Sequence, residues 1–235
     1  MTDAPNARTR TARQESARVY SDPHRWALTF WARLYRRLAR RWTVNNHVRN
    51  LCRPFHLEGA ENLVGLQNPM LIISNHTSHF DTAVVLHLLP GNIYARTAIA
   101  AAADRMYRDR WKGMYNSLRY NSFPITRGGG VKALAYSQWL LNNGWSLLIF
   151  PEGKRSRTDE LLPFHVGPAV LATSQDAPVL PVYVRGARDI LPAGEKWARP
   201  APVTARVGPL LRFPQGTSAQ DCRRQMEEAV RALSG

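Results

Sequence analysis

The chain has 235 residues, enough for one sizeable α/β domain whose core folds unaided. Its two cysteines, Cys52 and Cys222, lie far apart, which excludes a disulfide framework or a cysteine-based metal cluster and suits a reducing compartment. The net charge is +15, and residues 1–53 carry twelve Arg against three acidic residues, so this part of the chain favours nucleic acid or an anionic membrane surface as a partner.

Residues 1–22 combine Thr, Arg, Ala and Ser with almost no large apolar side chains, and they lack the hydrophobic core of a signal peptide. Because such a segment cannot bury enough surface to offset chain entropy, we expect a disordered arm. No apolar run approaches the roughly 18 residues that span a bilayer. The sequence therefore predicts a peripheral protein at the cytoplasmic face of the cell membrane, without a transmembrane helix.

Residues 23–53 are predicted to form an amphipathic, membrane-surface helical region, in which His24–Trp42 sustains helical periodicity. The apolar half of the helical wheel holds Leu28, Phe30, Trp31, Leu34, Tyr35, Leu38 and Trp42. The basic half holds Arg33, Arg36, Arg37 and Arg40. A wide aromatic face beside a basic face matched to anionic head groups is typical of an interfacial helix.

Two alternatives remain for this helix. The apolar face could pack on the domain's own core, as most amphipathic helices do. DNA binding would explain the arginines but not the four aromatic side chains, so we expect no nucleic-acid partner.

Past Pro54, strand and helix patterns alternate, which predicts a single α/β domain over residues 54–235 with a largely parallel or mixed central sheet flanked by helices. The predicted strands are Met70–Ser74, Ile93–Thr97, Trp145–Phe150, Pro178–Val184 and Val203–Val207. The predicted helices are Ser78–Leu89, Val131–Asn142, Gly167–Gln175 and Ser218–Leu233. Pro181 predicts an edge or a bulge for its strand. The site is expected in the strand-to-helix loops.

The segment NHTSHFD, residues 75–81, follows the first buried strand. A histidine that acts as a general base on a hydroxyl needs one imidazole nitrogen on that hydroxyl and the other on a carboxylate. His76 and Asp81 can form that pair only if His76 lies in the loop and Asp81 in the first helical turn, because a continuous helix would separate them by about 140°. Thr77 or Ser78 is the expected N-cap.

Two other interpretations of this segment stay open. Residues 78–81 also fit a capping box, in which Asp81 merely bonds back to the cap. His76, His79 and Asp81 could bind a metal, but no further Cys/His cluster supports that. We therefore expect no metal and no cofactor.

The segment FPEGKRSR, residues 150–157, follows the second apolar strand and places three cations within four residues. Such a segment suits a phosphate or polar head group, while Glu152 orients a hydroxyl or a loop amide. Its alternative is a solvated basic turn. The segment FPITRGGG, residues 123–130, leads Arg127 into glycines before a helix, which allows an anion to approach the backbone.

In this order, the three segments resemble the lysophosphatidic acid acyltransferase family, the glycerophospholipid acyltransferases marked by an Asn-His-x-x-x-x-Asp block. NHTSHFD matches the first block, FPITR the second, FPEGKRS the third, and Val179–Val182 the fourth. The similarity covers about residues 69–186. It implies direct acyl transfer to 1-acyl-glycerol-3-phosphate from acyl-CoA or acyl carrier protein as co-substrate, giving phosphatidic acid.

The resemblance also implies residue roles. His76 would act as the base and Asp81 would orient it. The implied substrate-binding residues are Arg127, Glu152, Gly153, Lys154, Arg155 and Ser156. Lys154 stands where the family often has threonine, and residues 164–167 read FHVG where a lysine-rich stretch is common. These departures leave the reaction intact but make another lysolipid a possible acceptor.

Two further hypotheses belong to other classes. A non-catalytic membrane-binding homologue would need only the basic helix, but it would not need His76, Asp81 and Glu152 together. A hydrolase could pair His76 with Ser74 or Ser78, but the sequence contains no Gly-x-Ser-x-Gly elbow.

Overall fold

The computed structural model describes residues 25–107, 109–126, 130–158, 160–191 and 197–235. In these ranges the strands are β1 Cys52–Glu58, β2 Leu71–Ser74, β3 Thr97–Ala102, β4 Ser122–Ile125, β5 Ser146–Ile149, β6 Val179–Arg185 and β7 Ala201–Val207. The helices are α1 Phe30–Arg40, α2 Asn46–Leu51, α3 Asp81–Leu88, α4 Gly91–Tyr94, α5 Ala103–Met106, α6 Arg110–Tyr120, α7 Gly130–Asn142, α8 Gly167–Ser174, α9 Ala187–Ile190 and α10 Ala219–Ala232.

The strands of the described residues form one mixed sheet in the order β1-β7-β6-β2-β5-β3-β4. β2 pairs in parallel with β5 and β6, and β3 pairs in parallel with β4 and β5. β7 runs antiparallel to β6, and β1 runs parallel to β7. This confirms the predicted single α/β domain. Because parallel strands end at a shared edge, the loops after β2 and β5 lie side by side.

Helices cover both faces of the sheet, which explains why β2 and β5 are apolar without alternation. Ile72 points to the face covered by α3 and the N-terminal helices, where Val44 and Val84 pack. Its neighbours Leu71 and Ile73 point to the face covered by α7, α8 and α10. The last helix is confirmed, with Ser218 as its N-cap. Both cysteines are buried free thiols, and burial raises the pKa of Cys52 to about 12 and of Cys222 to about 11.

Two sequence predictions on strands were wrong. Ile93 lies in α4 and the strand begins at Thr97, because Gly91–Tyr94 closes a helical turn after Pro90. Pro181 lies in β6, an interior strand. The proline is tolerated because the ladder with β7 begins only at Val182, so the missing N–H interrupts no strand pair on that side.

The N-terminal helices pack on the rest of the domain through arginines that were predicted to face outward. Arg36 is only 6% exposed and donates to the carbonyls of Ser117 and Leu118 at the end of α6. Arg40 donates to three carbonyls at the end of α3, and its guanidinium lies 4.2 Å from the Tyr94 ring centroid. The prediction that the basic face turns to head groups is wrong for these two arginines, because the partially negative carbonyl ends of α3 and α6 attract cations.

The apolar side of α1 is consequently left exposed. Trp31 is 75% exposed and Leu38 is 69% exposed, whereas Leu34 is half-buried. The other exposed large side chains on this side are Phe30, Tyr35 and Trp42. The alternative in which this face packs on the core is therefore wrong for most of its side chains.

Among the described residues, no helix combines the length and the apolar character that crossing a membrane requires. The predicted arm at residues 1–22 lies outside the described residues.

Candidate active site

The residue after β2 extends the sheet with its side chain. The Asn75 amide donates to the Val184 carbonyl oxygen at 2.9 Å and accepts from the Val184 N–H at 2.8 Å. Because Asn75 is buried, these two bonds satisfy polar groups that would otherwise be costly there. They fix the chain at the point where it leaves β2, one residue before the predicted base.

His76 and Asp81 form the predicted pair. The distance from His76 Nδ1 to Asp81 Oδ2 is 3.0 Å, with Asp81 as the first residue of α3 and His76 in the preceding loop. The loop break that the pair requires is therefore present. The bond uses Nδ1, so Nε2 is the nitrogen left for a substrate hydroxyl, on a side chain that is 16% exposed.

The capping interaction exists together with the His–Asp pair. Asp81 Oδ2 also accepts from the backbone N–H groups of Thr77 at 2.7 Å and Ser78 at 2.8 Å. The predicted N-cap is wrong, because Phe80 occupies that position and the Ser78 hydroxyl accepts from its N–H. The buried Asp81 carboxylate thus organises the loop and orients the imidazole at once.

The loop after β5 contacts the same histidine through Glu152. This side chain is 2% exposed, and its Oε1 accepts from the His76 backbone N–H at 2.7 Å. Its Oε2 accepts from the Leu162 N–H at 3.1 Å. Burial, with a smaller contribution from Asp81, raises the pKa of Glu152 to about 7, although the two backbone hydrogen bonds oppose that rise. The carboxyl group therefore orients loop amides, one of the two roles that the sequence suggested.

Sequence reasoning missed Phe150 as a site residue. Its ring stacks on the His76 imidazole, with centroids 4.1 Å apart and planes inclined by 21°. β2 and β5 are neighbours with Ile73 opposite Ile149, so Phe150, the residue that follows β5, lies beside the end of β2. The available signal was an aromatic residue at the end of a strand adjacent to the one before the base.

Gly153 stands where a side chain would not fit. It has a φ of +66°, and a Cβ there would lie 2.8 Å from the His165 ring. The backbone N–H of His165 donates to the Pro151 carbonyl oxygen at 2.9 Å, which fixes this residue beside Gly153. His165, which stands in the stretch that is commonly lysine-rich in the family, therefore packs on the loop beside the site.

The remaining predicted substrate-binding residues occupy different environments. Lys154 is exposed and Arg155 is half-buried. Ser156 is buried, and its N–H donates to the His76 carbonyl at 2.7 Å. Arg127 lies outside the described residues. Within the described part of the chain, no group of three His, Cys, Asp or Glu side chains is arranged to hold a metal ion.

The chain is similar in sequence to several known proteins. A model of the acyltransferase family matches residues 54–185. The chain is 30% identical over 149 residues to the chloroplastic 1-acyl-sn-glycerol-3-phosphate acyltransferase BAT2 of Brassica napus, covering 61% of this chain and 41% of that protein. It is 28% identical over 181 residues to a Chlamydomonas reinhardtii 1-acyl-sn-glycerol-3-phosphate acyltransferase, covering 74% of this chain and 52% of the relative.

The fold has a match among solved structures. The crystal structure of the 1-acyl-sn-glycerophosphate acyltransferase PlsC from Thermotoga maritima superposes with a TM-score of 0.64 at 21% identity, covering 96% of each chain. At that identity the match supports the fold alone. The chain spans about half the length of the two curated relatives, 41% and 52%.

Proposed function

The chain belongs to the acyltransferase family, and we propose that it transfers a fatty acyl group to the free hydroxyl of 1-acyl-glycerol-3-phosphate, giving phosphatidic acid. The observation that carries the proposal is the 3.0 Å contact between His76 Nδ1 and Asp81 Oδ2 at the end of β2. The names of the two curated relatives support lysophosphatidate as the acceptor.

The His–Asp pair suits direct transfer. Asp81 holds the imidazole so that Nε2 takes the proton from the acceptor hydroxyl, whose oxygen attacks the carbonyl carbon of an acyl thioester. The new ester C–O bond forms as the C–S bond breaks, and the proton passes from His76 to the departing thiolate. The donor is acyl-CoA or acyl carrier protein, and this scheme needs no separate cofactor.

Cations beside the pair suit the acceptor phosphate. Lys154 and Arg155 lie two and three residues after Glu152 in sequence, and the Glu152 carboxyl group binds the His76 amide, so both cations lie on the loop that contacts the base. A guanidinium such as that of Arg155 can hold two phosphate oxygens at once. Together with Arg127, these side chains are proposed to hold the acceptor, whether lysophosphatidate or another lysolipid.

We place the enzyme on the anionic cytoplasmic face of the cell membrane through residues 24–42. Trp31 and Leu38 project from α1, and Arg37 and Arg41 are exposed at its sides. Aromatic and aliphatic side chains flanked by cations suit insertion among anionic head groups. The two buried free thiols suit a reducing compartment.

The experiment is an assay of the purified protein with vesicles that contain different lysolipids, supplied with either acyl-CoA or acyl carrier protein. Phosphatidate formation should depend on lysophosphatidate and disappear in His76→Ala. His56→Ala, which changes an exposed histidine on β1, is the matched control and should retain activity. Full activity in His76→Ala would contradict the proposed mechanism. No product from any acceptor would contradict the proposed activity and favour a non-catalytic membrane-binding protein.

A further inference from the structure

Both oxygens of the Glu152 carboxyl group are occupied by the protein's own backbone. Oε1 accepts from the His76 N–H and Oε2 from the Leu162 N–H, at 2.7 and 3.1 Å. The side chain is buried, so its oxygens do not open toward a site where a head group could lie. A residue that binds the acceptor directly would instead turn a polar atom toward the acceptor's position.

The loop after β5 holds the base at a second point. The Ser156 N–H donates to the His76 carbonyl oxygen at 2.7 Å. Because Glu152 accepts from the N–H of the same residue, both backbone polar groups of His76 are bonded to this loop. The loop therefore fixes the backbone of the base, while Asp81 fixes its ring.

We propose that Glu152 is a positioning residue of acyl transfer, which acts through the His76 and Leu162 amides and makes no contact with the acceptor. The inference rests on the proposed function. It assigns to Glu152 a role in kcat, because misplacing a base by about 1 Å can reduce the rate about 100-fold.

The two backbone N–H donors around the Glu152 side chain require a carboxyl group at this position. Two N–H donors converge on one buried side chain, which must offer two acceptor oxygens. In Glu152→Gln one of these positions becomes an NH₂ group that faces a backbone donor, so one amide loses its acceptor. Glu152→Asp keeps both oxygens but is one methylene shorter, so it should restore the arrangement in part.

Kinetics distinguish positioning from acceptor binding. We expect Glu152→Gln to lower kcat about 100-fold and to leave the KM for lysophosphatidate and the KM for the acyl donor unchanged. Glu152→Asp should recover part of the lost kcat. Glu160→Gln, an exposed acid in the same loop, is the matched control and should behave as the wild type. A raised acceptor KM with an unchanged kcat would overturn the proposal and leave the reaction itself standing.

A second measurement does not need turnover. In amide NMR spectra, the His76 and Leu162 N–H protons should move upfield and exchange faster in Glu152→Asp, in which the contacts are lengthened, while Glu160→Gln leaves them unchanged. Unchanged signals in Glu152→Asp would overturn the proposal. If the wild-type protein produces no ester from any lysolipid, the proposed function fails, and the amide signals still decide whether Glu152 holds the loop.

Discussion

The imidazole of His76 lies flat against the ring of Phe150, with ring centroids 4.1 Å apart. Asp81 restrains one edge of the imidazole, and Phe150 covers one of its faces. In the proposed mechanism the substrate hydroxyl is therefore limited to the edge of the imidazole that carries Nε2. Such a contact orients the base without any polar bond to it.

Phe150→Leu tests this contact, because it keeps apolar volume and removes the flat ring. A stacked pair of this kind is worth about 1 kcal/mol, and that amount corresponds to roughly a fivefold change in rate. We expect kcat to fall about fivefold, with both KM values unchanged, in steady-state assays of acyl transfer.

The control for Phe150→Leu is Phe55→Leu, because Phe55 also lies beside a histidine, His87, at a ring distance of 5.9 Å but on β1. Its kcat should equal that of the wild type. Equal losses in the two variants would mean that the rate reflects general packing and not the stack on the base.

The raised pKa of Glu152 predicts that the stability of the fold depends on pH. Burial raises the pKa of its carboxyl group from 4.5 to about 7, so between these values the folded state keeps a proton that the unfolded state has released. The contribution of this group to the free energy of unfolding therefore falls by about 3 kcal/mol as pH rises from 4.5 to 7. Denaturant unfolding of wild type and Glu152→Gln across this range should show the difference shrinking with pH.

Glu160→Gln again serves as the comparison for the pH experiment, because Glu160 is exposed. Its unfolding curves should follow those of the wild type at every pH. If the difference between wild type and Glu152→Gln were constant from pH 4.5 to 7, the carboxyl group would not retain its proton in the fold.

The sequence located the central part of the site because two short motifs follow buried strands. Parallel strands end at one edge, so the expected position of the site in the strand-to-helix loops brings a histidine after β2 next to a carboxylate after β5. The partners of Glu152 could not be predicted, because backbone amides carry no sequence signal. The stack of Phe150 on His76 depends on the register of two strands, which a single sequence does not contain.

Helical periodicity predicted the two faces of α1 but not which of them packs on the protein. If the apolar face packed on the protein, as in most amphipathic helices, Trp31 would be buried and Arg36 exposed. The structure has the opposite arrangement. The reason is tertiary: Arg36 donates to the carbonyls of Ser117 and Leu118 at the C-terminal end of α6, where the helix carries partial negative charge. The position of that helix end relative to α1 is set by the whole fold.

Arg36→Ala should therefore destabilise the protein. Burial lowers the pKa of Arg36 to about 10, so the guanidinium remains charged at neutral pH and bonds strongly to the carbonyls around it. Its removal takes a charge-assisted hydrogen-bond donor away from the carbonyls of Ser117 and Leu118, and we expect the free energy of unfolding to fall by about 2–3 kcal/mol in denaturant titrations. The exposed neighbour Arg37→Ala should change it by less than about 0.5 kcal/mol, and equal losses in both variants would contradict the burial argument.

Membrane association provides the last prediction. The double variant Trp31→Ser, Leu38→Ser removes two of the most exposed apolar side chains of α1, which are proposed to enter the bilayer. Burying a large side chain is worth about 2 kcal/mol, so losing two should weaken binding to anionic vesicles at least about 100-fold in flotation assays. Val64→Ser removes an exposed apolar side chain outside the N-terminal helices and should float as the wild type does. If the double variant floats equally well, α1 does not contact the membrane.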